Sequence, residues 1–130
     1  VGEFWTDLCG KKLPGFARRP PGEMNALGIH FGKGLQLVNI LRDRQADATL
    51  GRVYVPPERL AETVALAKKY LADAEQYTKA ISGRRLRAAC ALPFLMGRET
   101  LDLIEEFPEA PKVKISRSRV WLLLVWSLFF

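Results

Sequence analysis

The sequence predicts an all-α fold, and three observations carry that prediction. Between Glu58 and Ser82 the apolar residues Leu60, Val64, Ala67, Leu71 and Ala74 repeat at intervals of four and three, while Lys68, Lys69, Asp73 and Glu75 fill the other side. That spacing writes one apolar stripe on a helix. Two further long segments, Glu23 to Ala48 and Arg84 to Phe107, read as helices on either side of it. All the prolines but Pro93, and several glycines, fall between these segments, where they end one helix and start the next. With 130 residues and 48% apolar content, the chain has material for one domain around one core.

The remaining elements follow in order. Val1 to Cys9 reads as the end of a helix, with Phe4, Trp5 and Leu8 on its packing side. Gly10 to Gly22 is a linker holding Lys11, Lys12, Arg18, Arg19 and three prolines, and a solvated loop is the expectation. Thr49 to Pro57 is a loop in which Gly51 permits a turn. Tyr70, Tyr77 and Ile81 widen the stripe of the Glu58–Ser82 helix. Pro93 should kink the Arg84–Phe107 helix, since it lacks an N–H and crowds the carbonyl four residues back. That helix can line an apolar tunnel or sit in the core. Its acidic end, Asp102, Glu105 and Glu106, reads as solvated. After a loop from Pro108 to Lys114, Ser116 or Ser118 can cap a last helix. The closing run W-L-L-L-V-W-S-L-F-F is about half of the ~20 residues that cross a bilayer. It reads first as a core helix and second as a membrane-surface contact.

Composition narrows the function classes. A net charge of +6 and a pI near 9.6 favour anionic partners over cationic ones. No helix carries a basic stripe, so nucleic acid is not expected as a partner. Cys9 and Cys90 form no C-x-x-C pair and read as two buried thiols of a reducing cytosol. His30, the single histidine, cannot build a His-rich metal site and reads as a helix-packing residue. There is no Walker loop, no G-x-S-x-G and no basic-then-apolar leader pattern.

One stretch does carry chemistry. Lys33 to Pro56 reads KGLQLVNILRDRQADATLGRVYVP. With Gln36 at zero on a helical wheel of about 100° per residue, Asn39 falls near −60°, Asp43 near −20° and Asp47 near +20°. The four polar groups therefore share one wall of the helix, while Leu35, Leu37, Val38 and Leu41 point elsewhere. Gly32 lies near −40° on that wheel, about one turn before Gln36, and Lys33 near +60°, at the edge. Burying such a stripe is costly unless it binds something. Carboxylates with amides, and no Cys or His, suit a hard cation such as Mg²⁺, which commonly brings phosphates. Arg42 and Arg52 stand close by in sequence, and Arg holds a diphosphate by paired hydrogen bonds. Gly28, Gly32 and Gly34 each cost about 1 kcal/mol of helix propensity relative to Ala, a cost that close packing or a cavity wall would explain.

The composite Q-x-x-N-x-x-x-D-x-x-x-D followed by G-R-V-Y-V-P resembles the second aspartate-rich motif of the squalene/phytoene synthases, and G-K-G-L-Q-L and V-G-E-F-W are similar to that family too. The resemblance implies an isoprenoid-synthase-type helical bundle around an apolar cavity. It implies Mg²⁺-dependent head-to-head condensation of two isoprenoid diphosphates, by way of an allylic cation and a cyclopropyl intermediate. Farnesyl diphosphate passing through presqualene diphosphate to squalene is favoured, with phytoene or dehydrosqualene as alternatives. NADPH is implied only if the product is squalene. Asp43, Asp47 and Asn39 would hold the metal. Gln36, Asn39, Arg42, Lys33 and Arg52 would bind substrate, with Arg52 and Tyr54 beside the diphosphates. The rival reading is a non-catalytic helical protein that binds isoprenoid diphosphates. The family has two such motifs and only the second is present. The chain is therefore expected to be the C-terminal portion of one longer prenyltransferase domain, inactive by itself because half the metal site is absent, cytoplasmic, with a peripheral membrane contact suited to an apolar product.

Overall fold

The computed structural model describes residues 2–12, 15, 17–49, 51, 56–107 and 115–130. Five α-helices make up the described fold: α1 (Gly2–Lys12), α2 (Pro21–Thr49), α3 (Leu60–Ala80), α4 (Arg84–Glu106) and α5 (Arg117–Leu128). A 3₁₀ turn at Pro57–Arg59 leads into α3. The described residues contain no strand; Ala17 and Ile81 form an isolated antiparallel bridge. The all-α prediction holds, and the three long helices lie within a few residues of where the apolar pattern put them.

The core forms where the stripes of α2, α3 and α4 meet. Val64, Ala67, Leu71 and Ala74 of α3 are buried as the four–three spacing requires, and the stripe continues through Tyr77. Leu41 of α2 and Leu101 and Ile104 of α4 have no exposed surface. Each such side chain contributes roughly 1.5–3 kcal/mol by leaving water. α2 packs principally on α3, and Gly34 explains how closely. A Cβ there would stand 3.2 Å from Tyr70 Cβ and 3.2 Å from Leu71 Cδ2, so only glycine fits without moving α3. A Cβ added at Gly97 of α4 would stand 3.5–3.6 Å from Leu35, Leu71 and Val38, where the third helix meets the other two.

Polar ties fix the helices in register. Thr6 of α1 and Tyr77 of α3 share a buried hydrogen bond of 2.9 Å. His30 Nδ1 meets Asp73 Oδ2 at 2.5 Å with the Tyr70 ring 5.0 Å away, so the packing role expected of His30 includes a polar contact. Lys68 of α3 pairs with Asp102 and Glu105 of α4, which gives that solvated helix end a cross-helix partner. The linker before α2 is anchored as well, since Arg18 donates its backbone N–H to Ala80 O at 2.7 Å.

The end of the first helix differs from expectation. α1 runs through Gly10 to Lys12 rather than stopping at Cys9. A Cβ added at Gly10 would meet nothing within 4 Å, and Lys11 and Lys12 suit the negative end of a helix dipole, so the glycine does not break it. α5 is capped by Ser116, whose hydroxyl accepts from the Arg119 N–H at 3.2 Å. This helix buries only Leu123 and Ser127, so the first reading of the closing run as a core helix holds for that narrow stripe alone. No helix among the described residues is long and apolar enough to cross a membrane.

Candidate functional site

α2 carries two chemically distinct surfaces in succession. Its first half borders an apolar cleft of about 330 Å³, walled by Gly28, Phe31, Gly32 and Leu35 of α2, Trp5 of α1, Tyr77 of α3, and Ala89, Cys90 and Pro93 of α4. Gly28 and Gly32 are one turn apart on one face, and small residues there leave room for the cleft. The wall that the three helix-weakening glycines suggested is thus divided. Gly28 and Gly32 border space, and Gly34 takes up packing.

The cleft repels charge. Burial pushes the Tyr77 hydroxyl up to about 12, against a smaller opposite pull from its hydrogen bond with Thr6. Burial likewise pushes the Cys90 thiol up to about 11, opposed by a hydrogen bond with Trp5. Both groups stay neutral at physiological pH. Cys9 and Cys90 are buried free thiols, as expected.

Beyond Leu35 the same helix turns polar. Gln36 and Asn39 are exposed, and Asp43 is half-buried one turn further on. All three lie on the wall that the wheel predicts, so the structure brings these predicted site residues together. Arg42 joins them from the side, donating Nε to Asp43 Oδ1 at 3.2 Å and Nη2 to Oδ2 at 3.3 Å. Lys33 is exposed on α2. Asp47 belongs to α2, but its side chain lies outside the described residues, and so do Arg52 and Tyr54.

Among the described residues the candidate donors of this face are all oxygen: one carboxylate and two amide carbonyls along about two helical turns. Such donors fit a hard divalent cation and leave coordination positions for water or phosphate. The Arg42–Asp43 pair is about one third exposed on both sides, so it can open at little cost when a cation or an anion competes. Among the described residues no three acidic, His or Cys side chains come together as a metal cluster.

The family model for squalene/phytoene synthase matches residues 1–66 and 58–120. The chain belongs to the squalene/phytoene synthase family. Three curated relatives agree over shorter stretches. A presqualene diphosphate synthase of Sinorhizobium fredii is 60% identical over 35 residues, which is 27% of this chain and 12% of the relative. Presqualene diphosphate synthases of Zymomonas mobilis and Rhodopseudomonas palustris are 50% and 49% identical over 40 and 41 residues, or 31% and 32% of this chain. These stretches span 14% and 15% of the two relatives. No solved structure matches the chain with significance.

For this squalene/phytoene synthase family member, the sequence located the polar face but missed most of the cleft. Trp5 read as a packing residue, Tyr77 as part of the α3 stripe and Cys90 as an inert thiol, and the three meet only through long-range packing. A signal was present in the small or short residues Gly28 and Gly32 on one helix and Ala89, Cys90 and Pro93 on another.

Proposed function

We propose that the chain carries part of the active site of a Mg²⁺-dependent synthase that condenses two isoprenoid diphosphates head to head. Conversion of farnesyl diphosphate to presqualene diphosphate and squalene is favoured, and phytoene or dehydrosqualene is the alternative within the same chemistry. The observation that carries this reading is the succession along α2, where an apolar cleft at Gly28–Leu35 runs into an oxygen-rich face at Gln36–Asp43. A prenyl diphosphate has that division, with a long apolar tail and a charged head.

Asp43, with Asn39 and Asp47, would hold the metal, which supplies positive charge to a departing diphosphate when bound. Gln36 and Asn39 would donate amide N–H groups to diphosphate oxygens. Arg42 has two N–H donors already aligned as a fork, the shape that grips a phosphate, and it would exchange the Asp43 carboxylate for the diphosphate. Lys33, Arg52 and Tyr54 complete the proposed set at its edges. The cleft's task is to hold the hydrocarbon and keep water from a reacting carbocation, and its neutral Tyr77 and Cys90 are compatible with that. NADPH enters only if the product is squalene.

A second reading, an isoprenoid-diphosphate-binding protein without turnover, draws on the Arg42–Asp43 pair, which engages the acidic group described on the face. One assay separates the two. The chain, joined to a portion that carries the first aspartate-rich motif, is incubated with farnesyl diphosphate and Mg²⁺, and pyrophosphate and extracted lipid are measured. Pyrophosphate release with a head-to-head product supports the synthase. Binding of the substrate without release supports the second reading.

A further inference from the structure

The apolar cleft has a mouth and a floor. Trp5 is 40% exposed and Ala89 is exposed at its rim, whereas Phe31 and Tyr77 are buried. Tyr77, only 2% exposed, is the α3 residue of the wall. Its ring meets the Phe31 ring of α2 edge-on, with centroids 5.7 Å apart and planes at 90°. An edge contact of this kind is a weak restraint and lets a ring tilt.

A second restraint comes from α1. The Tyr77 hydroxyl and the Thr6 hydroxyl share a buried hydrogen bond of 2.9 Å. Among the described residues the backbone of α1 lies against α2 and no other helix, so this bond reaches across from α3 to α1. Thr6 is buried on the inner face of α1 together with Cys9. A hydroxyl placed there is costly without a partner, and an apolar residue would carry no such cost. Thr6, Phe31 and Tyr77 are all buried by the chain's own helices, so the floor is complete whatever packs over the mouth.

We propose that Thr6 is a positioning residue for tail length: its bond pins the Tyr77 ring as a fixed floor, and that floor stops the apolar tail of an isoprenoid diphosphate. The proposal rests on the reading of the cleft as the seat of that tail. Without the bond the ring can tilt, the floor gives way, and a longer tail is admitted.

The test is a titration of the chain, joined to a portion that carries the first aspartate-rich motif, with non-ionising analogues of farnesyl and geranylgeranyl diphosphate in the presence of Mg²⁺. The parent should bind the shorter analogue more tightly. Thr6→Val keeps the shape of the side chain and loses the hydroxyl. It should reduce that preference about three- to tenfold, the size of one buried hydrogen bond. Thr6→Ser should restore it. Tyr77→Phe should act like Thr6→Val, and the double variant should do no more than either alone, because both changes remove the same bond. A purely structural role for Thr6 would weaken both analogues alike and leave their ratio unmoved. Inorganic diphosphate with Mg²⁺ should bind all variants equally.

An unchanged ratio in Thr6→Val would overturn the proposal, as would additive effects in the double variant. Equal or tighter binding of the longer analogue by the parent would overturn it too, since no floor is then felt. If the parent binds neither analogue better than inorganic diphosphate, the cleft does not seat the tail, and the reading beneath the proposal fails with it.

Discussion

Arg42 holds Asp43 through two parallel hydrogen bonds of 3.2 and 3.3 Å, although the two residues are neighbours in sequence and both lie on the solvent side of α2. On a regular helix adjacent side chains diverge by about 100°, so the pair forms only because the long Arg42 side chain bends back over the carboxylate. The arrangement sets a cation and an anion side by side on the polar face of α2.

This pair leads to the first prediction. Because it is partly exposed, Arg42→Gln should change folding stability by less than about 1 kcal/mol. It should strengthen Mg²⁺ binding at Asp43 by removing a competing cation, and weaken diphosphate binding by removing a donor fork. Urea unfolding and titration calorimetry with each ion separate the two effects. A large loss of stability would make Arg42 a structural residue.

Gly34 and Gly10 should respond in opposite ways to the same substitution. Gly34→Ala presses a methyl group against the Tyr70 Cβ, which cannot yield unless the α3 backbone moves. Overpacking of that kind costs about 1–3 kcal/mol and outweighs the gain in helix propensity of about 1 kcal/mol. Gly10→Ala meets open space within α1 and should stabilise by up to about 1 kcal/mol. Thermal melts of the two variants check the close approach of α2 and α3.

Alkaline pH should weaken the fold through Tyr77 and Cys90. Each has a folded pKa above its ordinary value: about 12 against 10.0 for Tyr77, and about 11 against 9.0 for Cys90. The unfolded chain therefore loses these protons first. Their contribution is complete below about pH 9 and is lost as pH rises towards 12. The urea midpoint should fall over that window, and Tyr77→Phe should flatten its upper part. Tyr77→Phe also removes the bond to Thr6, at a cost of roughly 0.5–1.5 kcal/mol near neutral pH.

Much of the architecture was legible in the sequence because it is local. The Leu60–Ala74 repeat, the prolines at 56 and 57 and the Ser116 cap each determine a helix or its end through neighbours a few residues away. The polar face was legible for the same reason, since Gln36, Asn39 and Asp43 lie on one helix and a wheel suffices to align them. The cleft was not, because Trp5, Tyr77 and Cys90 come from three helices and their meeting depends on crossing geometry. The His30–Asp73 contact joins positions 43 residues apart and carries no local signature. α5 was misjudged in part because apolar composition alone does not tell which side of a helix finds a partner.

The apolar cleft should select for chain length without affecting the head site. Gly32→Leu projects a side chain into the space beside Trp5 and Cys90. It should weaken binding of a farnesyl diphosphate analogue about tenfold, the order expected when several methylenes lose burial. Binding of inorganic diphosphate with Mg²⁺ should be unchanged. Equal losses for both ligands would place the tail elsewhere.

The central claim is that the Asp43 face of α2 binds an isoprenoid diphosphate through a divalent cation. Calorimetric titration of the protein and of Asp43→Asn with a non-ionising farnesyl diphosphate analogue, with and without Mg²⁺, tests it most directly. Binding that requires Mg²⁺ in the parent protein and disappears in Asp43→Asn, with an unchanged helical spectrum, is the predicted result. Mg²⁺-dependent binding of equal strength in Asp43→Asn would contradict the claim.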